Sequence, residues 1–313
     1  MLLNSTRVAL LAQPTYAQPS LDLAVDRLLA GCEACGSLRS ARVLLKPNLI
    51  TARNGTLACT DRRLLVGAAR WFIDRGARVA VGDSPSFGSA RAVLAKIGAL
   101  DSLLRLGAEV VEFRQAVATK LPGGLQAPLA APALDCDLLV NLPRVKAHAQ
   151  MRITLAVKNY FGCVSGFYKP WWHMVHGGAQ QPRFPALLVD LLAVLPAGLS
   201  LLDGVVAMHQ SGPVHGEPYP LGLLACSTNP VALDTALLVV LGIEPELCPL
   251  WRAARAAGLQ GAQVDELRFP ETTPAALAVR DFVVPATLNP IRFNPFRFVK
   301  NSLRRLVLRL TGN

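Results

Sequence analysis

The chain has 313 residues, 52% of them hydrophobic and 17% charged, a balance that excludes a disordered chain and a mini-protein dependent on disulfide or metal staples. Its formal net charge is +11, yet residues 286–313 hold six basic residues and no acid, so the other 285 residues carry only +5. No run of 18 uninterrupted apolar residues occurs, and the most apolar stretch, 186–208, is broken by Asp190, Pro196 and Asp203, which argues against a membrane-spanning helix.

From the N-terminus, the apolar run Val8–Leu11 ends at Gln13-Pro14, too short for a signal-peptide core, and predicts a strand over Arg7–Ala12. An amphipathic helix follows over Leu21–Leu29, then a strand over Ala41–Leu45 that closes in Lys46-Pro47-Asn48. Thr60-Asp61 offers an N-cap for a helix to about Arg75, stopped by Gly76. Arg78–Val81 predicts a strand closed by Gly82-Asp83-Ser84-Pro85, and a helix over about 88–97 comes next. Ala108–Glu112 and Leu138–Asn141 read as strands, Leu187–Leu195 as a helix, Leu199–Leu202 and Leu221–Cys226 as strands, and Ala232–Leu241 as a helix. Residues 114–133 and 262–290 fit neither period. Strands alternating with helices predict an α/β domain over 1–285, with a mostly parallel, doubly wound (Rossmann-like) sheet and helices on both faces.

The tail 286–313 is patterned separately. Arg297, Lys300, Asn301, Arg304 and Arg305 fall on one side of a helix over 296–310, opposite Phe296, Val299, Leu303, Leu306, Val307 and Leu310. Such a basic amphipathic helix packs on its own domain, lies on an anionic membrane surface or docks on an acidic partner. Asn289-Pro290 and Asn294-Pro295 make the preceding segment a linker.

Ligands of open α/β sheets bind beyond the carboxyl ends of the strands, which selects a rim: Lys46 and Asn48; Asp83, Ser84, Ser86 and Gly88; Arg144, Lys146 and His148; Asp203 and Gly204. The Gly82–Ser89 loop leads into a helix start, where free backbone N–H groups attract phosphate or carboxylate, although it matches no nucleotide-binding loop. Segment 141–178 concentrates chemistry. The chain has 25 Arg but only seven Lys, and three of those Lys (Lys146, Lys158, Lys169) lie there; all five His lie between 148 and 215. Lysine is a point charge with a tunable pKa, so retained Lys in an Arg-rich chain marks places where Arg does not substitute. Asp203 is expected to follow a strand and open a Gly-rich turn through Gly212-Pro213 and Gly216, as a general base, a metal ligand or, first of all, an Asx-turn cap. Asn229-Pro230 opens a helix in which Asp234 suits the positive dipole end.

Seven scattered cysteines do not form a secreted disulfide framework. Cys32 and Cys35 make one C-x-x-C at the end of a predicted helix, with no second ligand pair near in sequence, and read as ordinary thiols. His173 and His176 are followed at once by Gly177-Gly178 and make a poor metal pair.

In order along the chain, Lys46-Pro47-Asn48, Thr60-Asp61, Gly82-Asp83-Ser84-Pro85, Lys146 with His148, Thr154–Gly166, Asp203-Gly204 with Gly212-Pro213 and Gly216, and Asn229–Ala232 with Asp234 resemble the family called domain of unknown function 362 over about 40–245. Lys158-Asn159-Tyr160-Phe161-Gly162 and the Asp203–Gly216 segment are the most specific pieces. Members of that family are often joined to ferredoxin-type iron–sulfur modules, so the resemblance implies a redox setting without a reaction. This chain has no C-x-x-C-x-x-C-x-x-x-C run and lacks that module. It also carries His209-Gln210 where the family usually has an acid and a glycine.

The leading expectation is an enzyme acting on a small anionic substrate in a redox or biosynthetic pathway, in the cytoplasm. Lys146, His148, Lys158 and Asp203 are its catalytic candidates, and Lys46, Asn48, Asp83, Ser84, Asn159 and Gly212 its substrate-binding ones. A second is a metal- or iron–sulfur-dependent redox protein with a redox partner, in which the fold gathers Cys59, Cys163 and Cys226 with histidines; Cys163, His173 and His209 are the ligand candidates. A third is a non-catalytic ligand-binding protein held peripherally on an anionic membrane by 296–310. Nucleic acid is disfavoured because basic residues outside the tail are not interleaved with aromatic platforms.

Overall fold

The computed structural model describes residues 5–51, 56–86, 88–165 and 183–288. The first half builds one flank of a sheet. Strand β1 (Ala9–Ala12) precedes helix α1 (Ser20–Ala30), and β2 (Arg42–Pro47) precedes α2 (Arg62–Ile73), which Asp61 caps by accepting from the Arg63 N–H at 2.9 Å. Strand β3 (Arg78–Asp83), the short helices α3 (Ala90–Lys96) and α4 (Leu100–Arg105), and β4 (Glu109–Glu112) complete that flank.

Residues 114–133, which fit no period, form a separate hairpin of β5 (Ala116–Lys120) and β6 (Gln126–Ala130), turning through Gly124 at positive φ, followed by one turn of helix, α5 (Ala131–Leu134). Strand β7 (Leu138–Leu142) continues after Pro143 into β8 (Arg144–His148), which folds back on β9 (Arg152–Thr154) before the short helix α6 (Ala156–Asn159). The rest is α7 (Arg183–Asp190), the long strand β10 (Gly198–His209), β11 (Glu217–Tyr219), β12 (Leu223–Ser227), α8 (Pro230–Val240) and α9 (Pro249–Ala256).

Among the described residues ten strands make one sheet, with the order β1-β12-β10-β7-β2-β3-β4 along its main path. The run from β10 to β4 is parallel, while β12 is antiparallel to both of its neighbours. The fold is therefore mixed α/β with a large, mostly parallel sheet, and the antiparallel edge at β1 and β12 is a feature that the alternation of strands and helices did not announce. Strand alternation divides the core. Val43, Leu45, Val140 and Leu199 pack with α1 to α4, whereas Leu44 and Leu139 face α7 and α9, and Leu202, Leu223 and Ala225 face α8. Fully buried side chains such as Leu64, Leu65 and Phe72 on α2 each contribute roughly 1.5–3 kcal/mol relative to exposure.

Two expectations are corrected. Asp203 does not end a strand or open a turn: β10 runs through it to His209, and Gly204 sits mid-strand, where an added Cβ would lie 2.8 Å from a Leu223 methyl group. Arg144, Lys146 and His148 are not in a loop after a strand but form a strand of their own, paired to β10 across a bulge between Asp203 and Met208. The sequence reading also missed α4 and β11, too short to display a period, and α9, whose buried Leu250, Trp251 and Ala254 do follow helical spacing. The proposed linker at Asn289-Pro290, the tail helix 296–310, and Lys169, His173 and His176 lie outside the described residues.

Candidate functional site

The strand order reverses between β2 and β7: the chain proceeds from β2 outward to β3 and β4, and from β7 outward to β10. A crevice beyond the carboxyl ends of such a strand pair is the usual ligand position in open α/β sheets. Here Lys46, Asn141 and Ser200 stand opposite one another on β2, β7 and β10, forming a polar row one step below that rim.

Strand β8 supplies the second row. Its period of two puts Arg144, Lys146 and His148 on one side, while Val145 packs into the apolar cluster around α8. Three potential cations in one buried row are costly unless each finds partners. Arg144 is paired with Asp203 at 3.0 Å and also donates to the Cys59 carbonyl. Asp203 is itself fully buried and receives three donors: Arg144, the Tyr16 hydroxyl at 2.5 Å and the Asp61 N–H at 2.8 Å. Burial raises its pKa against the pull of Arg144 and these hydrogen bonds.

Lys146 differs from Arg144. Its Nζ donates to Asn48 Oδ1 at 2.7 Å and to the Ala58 carbonyl at 2.9 Å, both neutral acceptors. Burial lowers its pKa to about 7, with Arg144 and Lys46 pushing the same way. An amine in that state is partly neutral at physiological pH and can accept a proton.

His148 is buried and its pKa is lowered well below the usual value, first by burial and then by the positive charges of Lys158 and Lys146. Nδ1 accepts from the N–H groups of Gln150 and Met151 at 3.1 and 3.2 Å. The neutral ring therefore keeps its proton on Nε2, which is a donor.

A chain of carboxamides links the two rows. Asn48 Nδ2 donates to Asn159 Oδ1 at 2.6 Å, Asn159 Nδ2 to Asn141 Oδ1 at 2.8 Å, and Asn141 Nδ2 to Ser200 Oγ at 3.0 Å. On the other flank Lys46 pairs with Asp83 at 2.9 Å, both buried, and Asp83 also accepts from the Leu49 N–H at 2.8 Å. Gly162 is pressed onto this pair: a Cβ there would fall 2.1 Å from Asp83 Oδ1 and 2.2 Å from Lys46 Nζ, so any side chain would displace the ion pair. Gly212 plays a similar part beside β8, because a Cβ would lie 1.9 Å from the Ala147 carbonyl oxygen.

The sequence-selected residues thus divide by position. Lys46, Asn48, Asp83, Lys146 and Asn159 share one connected cluster. Lys158 is half-buried, with Nζ 4.5 Å from the centre of the Phe161 ring, and its charge is felt at His148. Ser84 is half-buried directly after β3, which runs through Gly82 and Asp83 where a closing loop was expected. The start of α3, expected to draw an external anion, is already occupied: Glu112 on β4 accepts from the Ala90 and Arg91 N–H groups at 3.2 and 3.1 Å. Asp234 does not serve its own helix either. It caps α6, accepting from Ala156 and Val157, and burial raises its pKa to about 8 against those bonds.

The metal-ligand candidates that lie among the described residues are not brought together. Cys163 lies in the apolar cluster under α7, and His209 packs against the Tyr219 and Phe282 rings at the end of β10. Cys59 and Cys226 share the α1–α4 side of the core, away from Cys163. Among the described residues no group of three or more His, Cys, Asp or Glu is placed to hold a metal ion. Tyr16, Ser200 and Glu112 were missed by the sequence reading and carry no local pattern. Stepping through Arg144–His148 by two would have found the buried row.

A family model described as "Domain of unknown function (DUF362)" matches residues 43–238. The Thylakoid-associated protein sll1697 of Synechocystis sp. (strain ATCC 27184 / PCC 6803 / Kazusa) is 37% identical over 306 residues, which cover 96% of this chain and 95% of that one. Among solved structures, the lactate racemase apoprotein from Thermoanaerobacterium thermosaccharolyticum matches with a TM-score of 0.46 and 12% identity, over 74% of this chain and 57% of that one. A protein from Thermotoga maritima matches with a TM-score of 0.44 and 11% identity, over 67% of this chain and 56% of that one. The chain thus spans little more than half the length of these two structures.

Proposed function

Because the chain belongs to the family described as a domain of unknown function (DUF362), whose description names no reaction, we propose from the site itself an enzyme that binds a small carboxylate- or phosphate-bearing substrate and moves a proton on it with Lys146. One observation carries this reading: a fully buried amine, held at a pKa of about 7 and bonded to neutral acceptors, near the carboxyl ends of the strands where strand order reverses. The reversal, with helices on both faces, also supports the finer description of the sheet as doubly wound. Lys158 supplies positive charge at the rim, His148 Nε2–H a neutral donor, and the Asn48 amide fixes the Lys146 amine. Lys46, Asp83 and Gly162 hold the floor, and Arg144 with Asp203 anchors β8.

An anion arriving near Lys146 favours its charged form, so binding at pH 8 draws a proton from solvent. Calorimetric titration with a panel of small carboxylates and phosphate esters, in buffers of different ionisation enthalpy, is expected to find a ligand whose binding takes up protons. Lys146→Met should weaken that ligand by roughly 100-fold, comparable to losing a charge-assisted hydrogen bond. Equal affinity in both proteins, or binding without proton uptake, would remove Lys146 from the site.

A second reading concerns where the protein works. No described helix is long and apolar enough to cross a membrane. The relative is named as thylakoid-associated, and residues 286–313 hold six basic residues without an acid. Both support peripheral attachment to an anionic bilayer through 296–310. The full chain is expected to sediment with vesicles containing anionic phospholipid and to be released in moderate salt, whereas a chain ending at residue 288 stays in the supernatant. Undiminished sedimentation of the shortened chain would refute it.

A further inference from the structure

Three of the seven cysteines meet at the opposite edge of the sheet from β4, with β10 between them and β7. Cys32 and Cys35 follow the end of α1, where the Cys35 N–H donates to the Cys32 carbonyl at 3.0 Å and both side chains are half-buried. Cys226 stands on β12 between Ala9 of β1 and Leu201 of β10, only 4% exposed. Cys32 and Cys226 face the same cleft, and the Cys226 and Cys35 thiols are near enough to Cys32 to act on its charge. The cleft, of about 30 Å³, is lined by Cys32, Cys226, Arg7, Glu33, Ser227 and Thr228. That volume admits a single sulfur or water-sized group, and the Arg7 guanidinium at its wall is paired with Glu33 at 3.7 Å.

We propose that this cleft is a thiol–disulfide exchange site in which Cys32 attacks, Cys226 resolves, and the substrate is a small disulfide. The thiols are suited to these roles. Cys32 is half-buried and reachable from the cleft, whereas Cys226 is 4% exposed, so Cys32 is the attacking thiol; the neighbouring Cys226 and Cys35 thiols, aided by Arg7, lower its pKa, while those of Cys226 and Cys35 are raised by Cys32 and by burial. The Cys32 thiolate attacks one sulfur of the disulfide, forming a mixed disulfide and expelling the first thiolate. Cys226 then attacks Cys32 Sγ, its proton passing to the second leaving sulfur. The substrate disulfide is reduced by two electrons to a thiolate and a thiol, and the protein is oxidised to a Cys32–Cys226 disulfide. Cys35 stays a thiol and steadies Cys32. The site is separate from the Lys146 crevice and does not depend on the function proposed there.

The test uses the full, reduced chain. A short pulse of iodoacetamide at pH 6, read by peptide mass mapping, is expected to label Cys32 about tenfold faster than Cys136, whose pKa burial raises to about 12. Oxidised glutathione should then yield a Cys32–Cys226 linked peptide in the native sequence and a glutathione adduct on Cys32 in Cys226→Ala. Cys32 labelling no faster than Cys136, or no disulfide from Cys32 at any glutathione ratio, overturns the proposal. A Cys32–Cys35 link would overturn the role of Cys226, as would tightly held zinc with all three thiols unreactive. The labelling and linkage in the native sequence decide the matter even if Cys226→Ala fails to fold.

Discussion

Asp203→Ala is expected to lower the unfolding free energy by about 3–5 kcal/mol, because it leaves a buried guanidinium without its counter-ion. The change removes the partner of Arg144 and also strands the Tyr16 hydroxyl and the Asp61 N–H, all of which converge on that one carboxylate. Arg144 is 4% exposed and cannot turn to water without moving β8. Such a loss is a large share of the roughly 5–15 kcal/mol by which domains are stable, so the variant should unfold at a much lower urea concentration. Asp203→Asn keeps the shape but not the charge and should remain strongly destabilised. Adding Arg144→Met to Asp203→Asn should recover part of the loss, since the uncompensated charge goes with it. A midpoint for Asp203→Ala within about 1 kcal/mol of the native protein would mean that Asp203 is not a structural tie.

Lys146→Met should have the opposite sign at low pH. The folded protein holds the Lys146 pKa at about 7 against an unperturbed value of 10.5. Between those values the unfolded chain binds more protons than the folded one, so this residue makes stability rise with pH from 7 to about 10. Below pH 7 the cost of a buried charge is fully present, of the order of 5 kcal/mol at most. Methionine removes that cost but leaves Asn48 Oδ1 and the Ala58 carbonyl without a donor, a loss of about 1–3 kcal/mol. The variant is therefore expected to be more stable than the native protein at pH 6 and less stable at pH 10. Urea unfolding at both pH values checks this; parallel shifts at the two would show that Lys146 is not held neutral by the fold. A residue that weakens the protein at neutral pH while occupying the reversal of strand order is what function, rather than packing, retains.

The parallel half of the sheet was legible because β2, β3 and β7 are short apolar runs ended by Lys46-Pro47, Asp83 and Leu142-Pro143, with capped helices between them. The N-cap at Asp61 and the one at Asn229 appeared where their side chains and the following residues required. What stayed hidden depends on partners distant in sequence. Nothing local announces that β12 pairs backwards with β1 and β10, or that Tyr16 bonds a carboxylate 187 residues away. Of the site, the clustering of scarce Lys in an Arg-rich chain picked out Lys146 and Lys158. It did not distinguish the ion-paired Lys46 from the carboxylate-free Lys146, because that difference is made by Asp83 arriving from another strand. The C-x-x-C looked ordinary for the same reason: its third thiol arrives from β12.

The carboxamide row between Lys146 and Ser200 has a direction. Each amide accepts from the Lys146 side and donates toward Ser200, so three dipoles lie head to tail from the residue after β2 through α6 to β7. No single amide can rotate by half a turn without setting donor against donor at one end and acceptor against acceptor at the other. The row therefore switches as a unit or not at all. Its orientation is set at one end by Lys146, whose Nζ donates to Asn48 Oδ1 and so fixes the order of every amide behind it, which ties the direction of the whole row to the seat of one amine.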